Sequence, residues 1–536
     1  MNKYLDPDYV FGAEDYDDLF TDFENLYWES RDFYKDGVSE GLHRVAQVML
    51  KYASALSIEQ NKLMADFVLK KIPGNPPIMT LFLYSLVLEL APCAEVVEEA
   101  LDFILENAGY FTKNNLYFYA YRIMSVTFRR KDAENAATRV KLWELFNIIY
   151  RRFESEVSTS LEPIPFEQRN KDLVIVFTEQ MVTIKHGPTK TALDRCKAII
   201  TKMNKNVLLI CTNEMLSEAG SLPYAIYMNA NSNDYKDAEE IEWKGVKIPF
   251  FNIDETMPSI RVIDEMLALI RRLAPYRIVS IGAKGVLANL ADRIIPSVGI
   301  GLCPSATEPT SMTFQTLGKP MDAADRELLS AMKLPESHVI ESVFTSSLKP
   351  QQGKFTRGEL GIPEDAFVIT VIGGRLGFEV TEEFLEMLEG VMEDDYFILF
   401  LGIFDGYENK LRSHKKIEKA YKCMAVDDIL AVLELCDLYV NPIRRGGGTS
   451  CVEAMYKGVP VVSTAYGDVA VNCGPDFCVE DYDKMGKTIR RYHDDIDFYT
   501  DMSQKVKTRT EVLLDTEGEF VRIMNEADMR ERQNRE

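Results

Sequence analysis

Cations are in short supply in this 536-residue chain: 61 Lys and Arg face 84 Asp and Glu, for a formal net charge of −23. That deficit excludes a general affinity for nucleic acid or anionic membrane, both of which need a cationic excess. An anionic ligand would need a local positive site. Long apolar runs are also missing, with nothing near the ~18 residues of a membrane span. The opening MNKYLDPDYVFGAEDYDDLF has neither the basic start nor the apolar core of a secretory signal. A cytoplasmic location is expected. Histidine is scarce at five residues, which argues against a multi-histidine metal centre. The nine cysteines are odd in number and irregularly spaced. Cys473 and Cys478 have four residues between them and no second pair or histidine cluster after them, so no structural zinc is expected. Cys211, Cys436 and Cys451 read as small buried hydrophobes in a reducing compartment. Neither a metal nor a bound cofactor is expected.

What is present is globular: 46% hydrophobic and 27% charged residues, over a length that suggests three or four folding units. From about 38 to 157 apolar residues recur at helical spacing, as in VAQVMLKYASAL (45–56), MTLFLYSLVLEL (79–90) and NLYFYAYRIMSVTF (115–128). No fixed repeat is evident, so a bundle or irregular helical array is expected rather than a solenoid. SLEPIPFEQRNKD (160–172) breaks the pattern. Strands then alternate with helices: LVIVF (173–177), NVLLICT (206–212), VKIPFFNI (246–253) and RIVSIG (277–282), then FVITVIG (367–373), YFILFL (396–401), LYVNP (438–442) and VPVVS (459–463). Continuous apolar strands between amphipathic helices describe parallel sheets covered on both faces, so two doubly wound domains in tandem are expected. The resulting division is an all-helical domain at 1–165, Rossmann-like domains at 166–345 and 346–510, and a last helical segment at 511–536.

The most informative segment is NPIRRGGGTSCVEAMYKGVPVVS (441–463). A strand ends at Asn441-Pro442, and Gly446, Gly447 and Gly448 permit close backbone approach. Thr449 and Ser450 can open a helix that ends near Gly458. Amides and hydroxyls at such a helix start suit a diphosphate. Glu453, one turn on, can face the cleft and accept the hydroxyls of a ribose. A flexible turn followed by a surface Glu would be the plain alternative.

The string GGGTSCVEAMYKGVPVV resembles the donor-site signature of GT-B glycosyltransferases, especially those of group 1. FTRGELGIPEDAFVITVIGGRLGFEVTEEFLEML (355–388) is similar to the opening of their C-terminal domain. That resemblance implies a GT-B fold of two facing Rossmann-like domains, here preceded by an all-α domain. It implies a nucleotide-sugar donor, with a UDP-sugar as the expected substrate, and a role for Arg375 as a diphosphate ligand, with Gly373 and Gly374 giving room. The family commonly has two glutamates eight positions apart, and the first falls on Arg445. Arginine supplies no carboxylate, though it could neutralise the leaving diphosphate.

On the acceptor side, TEQMVTIKHGPTKTALDRC (178–196) leads from the first strand into a helix. His186 is the candidate catalytic group, with Gly187, Thr189 and Lys190 beside it and Pro188 in the first helical turn. A His-Pro-Thr-like element and the segment MTFQTLGKPM (312–321) resemble parts of the protein O-GlcNAc transferases and bacterial protein-glucosyltransferases, which implies a protein or peptide acceptor. The expected activity is transfer of a hexosyl or N-acetylhexosaminyl group without a metal. A non-catalytic GT-B subunit that stabilises a partner transferase and a nucleotide-sugar epimerase are the alternatives, and homo- or hetero-oligomerisation stays open.

Overall fold

The computed structural model describes residues 19–35, 58–184, 186–214, 232–255 and 259–533, with a few positions between 41 and 49. Lys185 and most of the stretch 45–56 lie outside the described residues. The helical region contains Leu19–Lys35, Ile58–Lys71, Pro77–Leu90, Ala94–Glu106, Lys113–Arg129 and Ala136–Glu156. Local chemistry sets several of these starts. Pro77 takes the first helical position, where its missing N–H costs nothing, Thr112 accepts from the Asn115 amide, and Asn135 forms a reciprocal capping box with Thr138.

Two sheets follow. The first holds β1 (Asn170–Thr178), β2 (Asn206–Cys211), β3 (Glu240–Trp243), β4 (Val246–Asn252), β5 (Pro275–Ile281), β6 (Ser297–Ile300), β7 (Phe314–Leu317) and β8 (Val339–Glu341), in the order β3-β4-β2-β1-β5-β6-β7-β8. The second holds β9 (Phe367–Gly373), β10 (Tyr396–Gly402), β11 (Tyr421–Met424), β12 (Leu438–Val440), β13 (Val461–Thr464) and β14 (Cys478–Val479), in the order β11-β10-β9-β12-β13-β14. Every pairing is parallel except β3 with β4. The strand expected at 246–253 is β4, parallel to β2, and the structure adds β3 as an antiparallel edge strand that was not expected. Lys244 and Gly245 both have positive φ, the pattern of a tight two-residue turn, which the sequence EWKGVK hides.

The strand order fixes where a ligand can sit. In each sheet the chain starts in the middle, runs outward on one side, and returns to the other side. The switch points fall between β1 and β5 in the first sheet and between β9 and β12 in the second. Crevices open at the carboxyl ends of strands at such points.

Three connections hold the parts together. The helical region and the inner face of the first Rossmann domain share one apolar core, which includes Leu145, Ile149, Ile175, Leu287 and Ile294. Asp264 anchors their connection by accepting the Ser158 and Thr159 amides at 2.8–3.1 Å. The helix Thr516–Gln533 crosses back from the second domain onto the helix Gly187–Thr201, burying Phe520, Ile523, Met524 and Ala527 in the first domain's other core. Its Asp528 and Glu531 each lie 2.6 Å from the fully buried Arg277. Arg195 ties the start of that helix to the segment after β8, donating to Thr345 Oγ1 and to the Thr516 carbonyl at 3.1 Å each.

Candidate functional site

Both switch points open onto one cleft of about 1080 Å³, walled by the two Rossmann domains and by the helices Lys113–Arg129 and Ala136–Glu156. On the second domain's side, β9 ends in Gly373-Gly374-Arg375 and β12 leads into 441–448. Gly447, at φ +97°, starts the helix Gly448–Tyr456. A Cβ there would stand 2.7 Å from Arg444 Nη2, and one at Gly446 would stand 2.9 Å from Arg375 Nη2. The glycines are therefore there to let two arginines lie against the loop.

The two neighbouring arginines of 444–445 do different work. Arg444 is buried and saturated: it donates to Asn441 Oδ1 (2.8 Å), Glu379 Oε2 (2.6 Å), the Ile372 carbonyl (2.7 Å) and Tyr439 Oη (2.9 Å). It ties the ends of β9 and β12 together. Arg375 donates to the other oxygen of Glu379, stacks 5.2 Å from the Phe128 ring of the helical region, and keeps 45% of its side chain exposed to the cleft. Burial opposes the charge of Glu379, but Arg444 and Arg375 outweigh it and hold the carboxyl below its ordinary range.

Arg445 meets Glu134 of the helical region, one guanidinium nitrogen at 3.1 Å and the other closer still. A residue 311 positions away in sequence thus balances its charge. Asp468 packs behind it, donating its amide to the Arg445 carbonyl at 2.6 Å and accepting from Ser305 Oγ at 3.0 Å. Burial pushes the Asp468 carboxyl up to about 7, with Ser305 and Arg445 pulling it back.

Thr449 and Ser450 both line the cleft, but the Ser450 hydroxyl is already used, donating to the Gly447 carbonyl (2.9 Å) and lying 3.2 Å from Tyr439 Oη. The Glu453 side chain makes no hydrogen bond among the described residues. Burial pushes it up to about 7, against the pull of Lys190 and Lys349. Lys190 faces it across the cleft, and burial lowers its pKa more than Glu453 restores it.

His186 caps the helix Gly187–Thr201 and lines the cleft together with Gly187 and Lys190. Its Nδ1 is buried without a partner among the described residues, and burial, helped by Lys190, holds its pKa below the ordinary value. Thr189 turns inward instead. Its hydroxyl accepts the Val182 amide at 3.2 Å, fixing the loop rather than facing the cleft.

Sequence reasoning missed the charged groups at the other switch point, Glu179 after β1 and Lys284 after β5, as well as the contribution of Phe128 and Glu134. A carboxylate and an ammonium directly after the apolar strands LVIVFT and RIVSI were the available signal. Nothing local in the sequence connects Glu134 with position 445. Among the described residues no group of three or more His, Cys, Asp or Glu is arranged to hold a metal, and no helix is long and apolar enough to cross a membrane.

Comparison with known proteins places this geometry. Residues 369–495 match the family described as glycosyl transferases group 1. No curated protein is similar enough in sequence to count as a relative. Among solved structures, an O-GlcNAc transferase mutant from Thermobaculum terrenum matches with a TM-score of 0.57 and 13% identity, covering 95% of this chain and 96% of that one. A glycosyltransferase from Rickettsia africae matches at TM-score 0.49 and 11% identity, over 67% of this chain and 99% of that one. Anabaena HepE, solved with UDP and glucose, matches at 0.47 and 13% identity, over 66% and 98%. Residues 369–495, in the second Rossmann domain, are thus similar to the group 1 glycosyltransferases, and the chain as a whole shares the GT-B fold of two Rossmann-like domains with a helical region ahead of the first.

Proposed function

We propose that the protein transfers a sugar from a nucleoside diphosphate, a UDP-sugar in the first instance, to a hydroxyl on a polypeptide. The observation that carries this reading is the cleft-facing side of the β9/β12 switch point. There Arg375 is half exposed, the loop 446–450 opens a nine-residue helix, and the Glu453 carboxylate has no hydrogen bond among the described residues. In this reading Arg375, Thr449 and the amides of Gly448 and its neighbours take the diphosphate, and Glu453 takes the ribose. As the bond to the sugar breaks, Arg375 and the helix start meet the charge that develops on the leaving diphosphate, so no metal is required for that task. Arg445, paired with Glu134, shapes the loop and contributes little free charge. His186, kept neutral, orients the acceptor from the opposite wall. The helical region, which supplies Phe128 and Glu134 to this cleft, supports a polypeptide acceptor, since it forms an extended wall beside the donor loop.

The test is release of nucleoside diphosphate from a panel of UDP-sugars, with and without cell lysate, followed by mass spectrometry of the lysate proteins. Lysate-dependent release with a sugar-sized mass gain on protein is expected. Isomerised sugar with no acceptor would make the protein an epimerase, and no release from any donor would make it a non-catalytic subunit.

A further inference from the structure

We propose that the β1/β5 crevice of the first Rossmann domain seats the acceptor's hydroxyl, with Lys284 and Glu308 forming its polar wall and Glu179 receiving the hydroxyl proton. The inference rests on the transferase reading above and names the acceptor chemistry of the same cleft. Topology puts Glu179 and the loop Gly282-Ala283-Lys284-Gly285 at the first sheet's switch point, as Arg375 and 446–450 are placed in the second.

Two of the side chains there, Glu179 and Lys284, lack among the described residues the polar partners that a structural cluster would have. Glu179 is only 4% exposed and sits just behind the cleft-lining Gln180, Lys284 and Glu308, yet among the described residues neither of its carboxylate oxygens has a hydrogen-bond partner. Buried polar groups are almost always satisfied, and an unsatisfied one is explained by strain, by a bound water, ion or ligand, or by a catalytic role. Lys284 lines the cleft with its ammonium 5.6 Å from the Tyr121 ring, in no ion pair and no hydrogen bond among the described residues. Glu308, also on the cleft, is fixed by the Ala283 amide at 2.5 Å. Glycines keep the space between these groups open: a Cβ at Gly282 would lie 3.5 Å from Glu179 Oε1 and 3.7 Å from Glu308 Oε2. Glu214, by contrast, is satisfied, accepting the Val286 and Leu287 amides at the start of the next helix.

The charge pattern selects the ligand. A free amine among these carboxylates would be held as an ammonium, which is not nucleophilic and which Lys284 repels; a hydroxyl stays neutral and can donate to Glu179 while accepting from Lys284. The loop 302–308 spans the short distance to the donor, because its Ser305 bonds Asp468 behind Arg445 while its Glu308 borders Gly282. In the step itself the hydroxyl proton passes to Glu179 and the oxygen lone pair forms the bond to the anomeric carbon. The bond from that carbon to the diphosphate breaks, and its electron pair leaves with the nucleoside diphosphate.

The electrostatics suit a proton acceptor. Burial pushes Glu179 up to about 8, Lys284 opposes the rise, and Glu308 and Glu214 add to it; the nearby Gly285 amide favours the ionised form. Tyr117 from the helical region and Cys211 at the end of β2 also face it and are themselves pushed up. Lys284 remains charged because Glu179 and Glu308 outweigh the effect of its burial.

The experiment uses the full chain. Sugar nucleotides that bind by calorimetry are hydrolysed with water as the hydroxyl acceptor, and turnover is followed against pH. Glu179→Gln should leave donor affinity within about twofold while lowering turnover by about 100-fold or more. It should also abolish a rise in rate centred near pH 8 that His186→Ala retains. Melting is measured in parallel at pH 8.5. The raised carboxyl favours the fold only while protonated, so Gln should match or exceed wild type there. Wild-type turnover in Glu179→Gln, an unchanged pH limb, or a melting temperature several degrees lower would each overturn the proposal. Failure of the wild-type chain to bind any sugar nucleotide would instead sink the transferase reading, and the melting comparison would still decide whether Glu179 is structural.

Discussion

Single side chains in the cleft divide into those that hold the loop and those left to hold a ligand. Arg375 belongs to the second group. Hydrogen bonds to charged groups contribute about 1.5–3 kcal/mol each, so Arg375→Ala should weaken nucleoside diphosphate binding by roughly 10- to 100-fold and leave nucleoside binding nearly unchanged. Calorimetry with the two ligands checks this. Glu453, pushed up to about 7, accepts ribose hydroxyls best when ionised, so nucleoside affinity should improve as pH rises through about 7. Glu453→Gln should bind more weakly and lose that dependence, and a pH series of the same titrations would show it. The sequence exposed both residues because each stands at a strand end or helix start in a recognisable order. It did not distinguish Arg444 from Arg445, since adjacent arginines in RRGGG read alike until the buried Glu379 takes one and Glu134 the other.

Among elements, the hairpin of Lys113–Arg129 and Ala136–Glu156 joins the helical region to the donor loop across the cleft. Glu134→Gln would leave Arg445 buried without its carboxylate, and breaking such a pair costs about 3–5 kcal/mol. A clear drop in melting temperature is expected, whereas a surface pair would give almost none. Gly447→Ala tests the loop itself: φ +97° and an approach of 2.7 Å to Arg444 force the loop to move, so donor binding should fall while circular dichroism stays native. The parallel strands and their helices were legible because burial on both faces writes continuous apolar runs such as FVITVIG. The short strands Ser297–Ile300, Phe314–Leu317 and Tyr421–Met424 were not, being too brief to show a period and defined by neighbours distant in sequence. The helical wall of the cleft was illegible for the same reason, as Phe128 is one aromatic among many until Arg375 lies over it.

For the whole molecule, burial leaves several carboxyls short of charge. Glu179 is pushed up to about 8, Glu214, Glu453 and Asp468 to about 7, and Asp292 to about 6. An acid raised above its unfolded value favours the folded state while protonated, and that advantage is lost as pH climbs through the folded value. These groups should therefore lower the melting temperature steadily between about pH 5 and 8, and a calorimetric series would register the slope. The helix Thr516–Gln533 bears on how the chain is made. Arg277 is fully buried in the middle of the first sheet, but the carboxylates that balance it, Asp528 and Glu531, are synthesised about 250 residues later. During translation the first domain must wait with an uncompensated cation in its interior, so it should reach its protease-resistant form only after the helix Thr516–Gln533 has left the ribosome. Its maturation is set by the emergence of Thr516–Gln533 and not by that of its own strands.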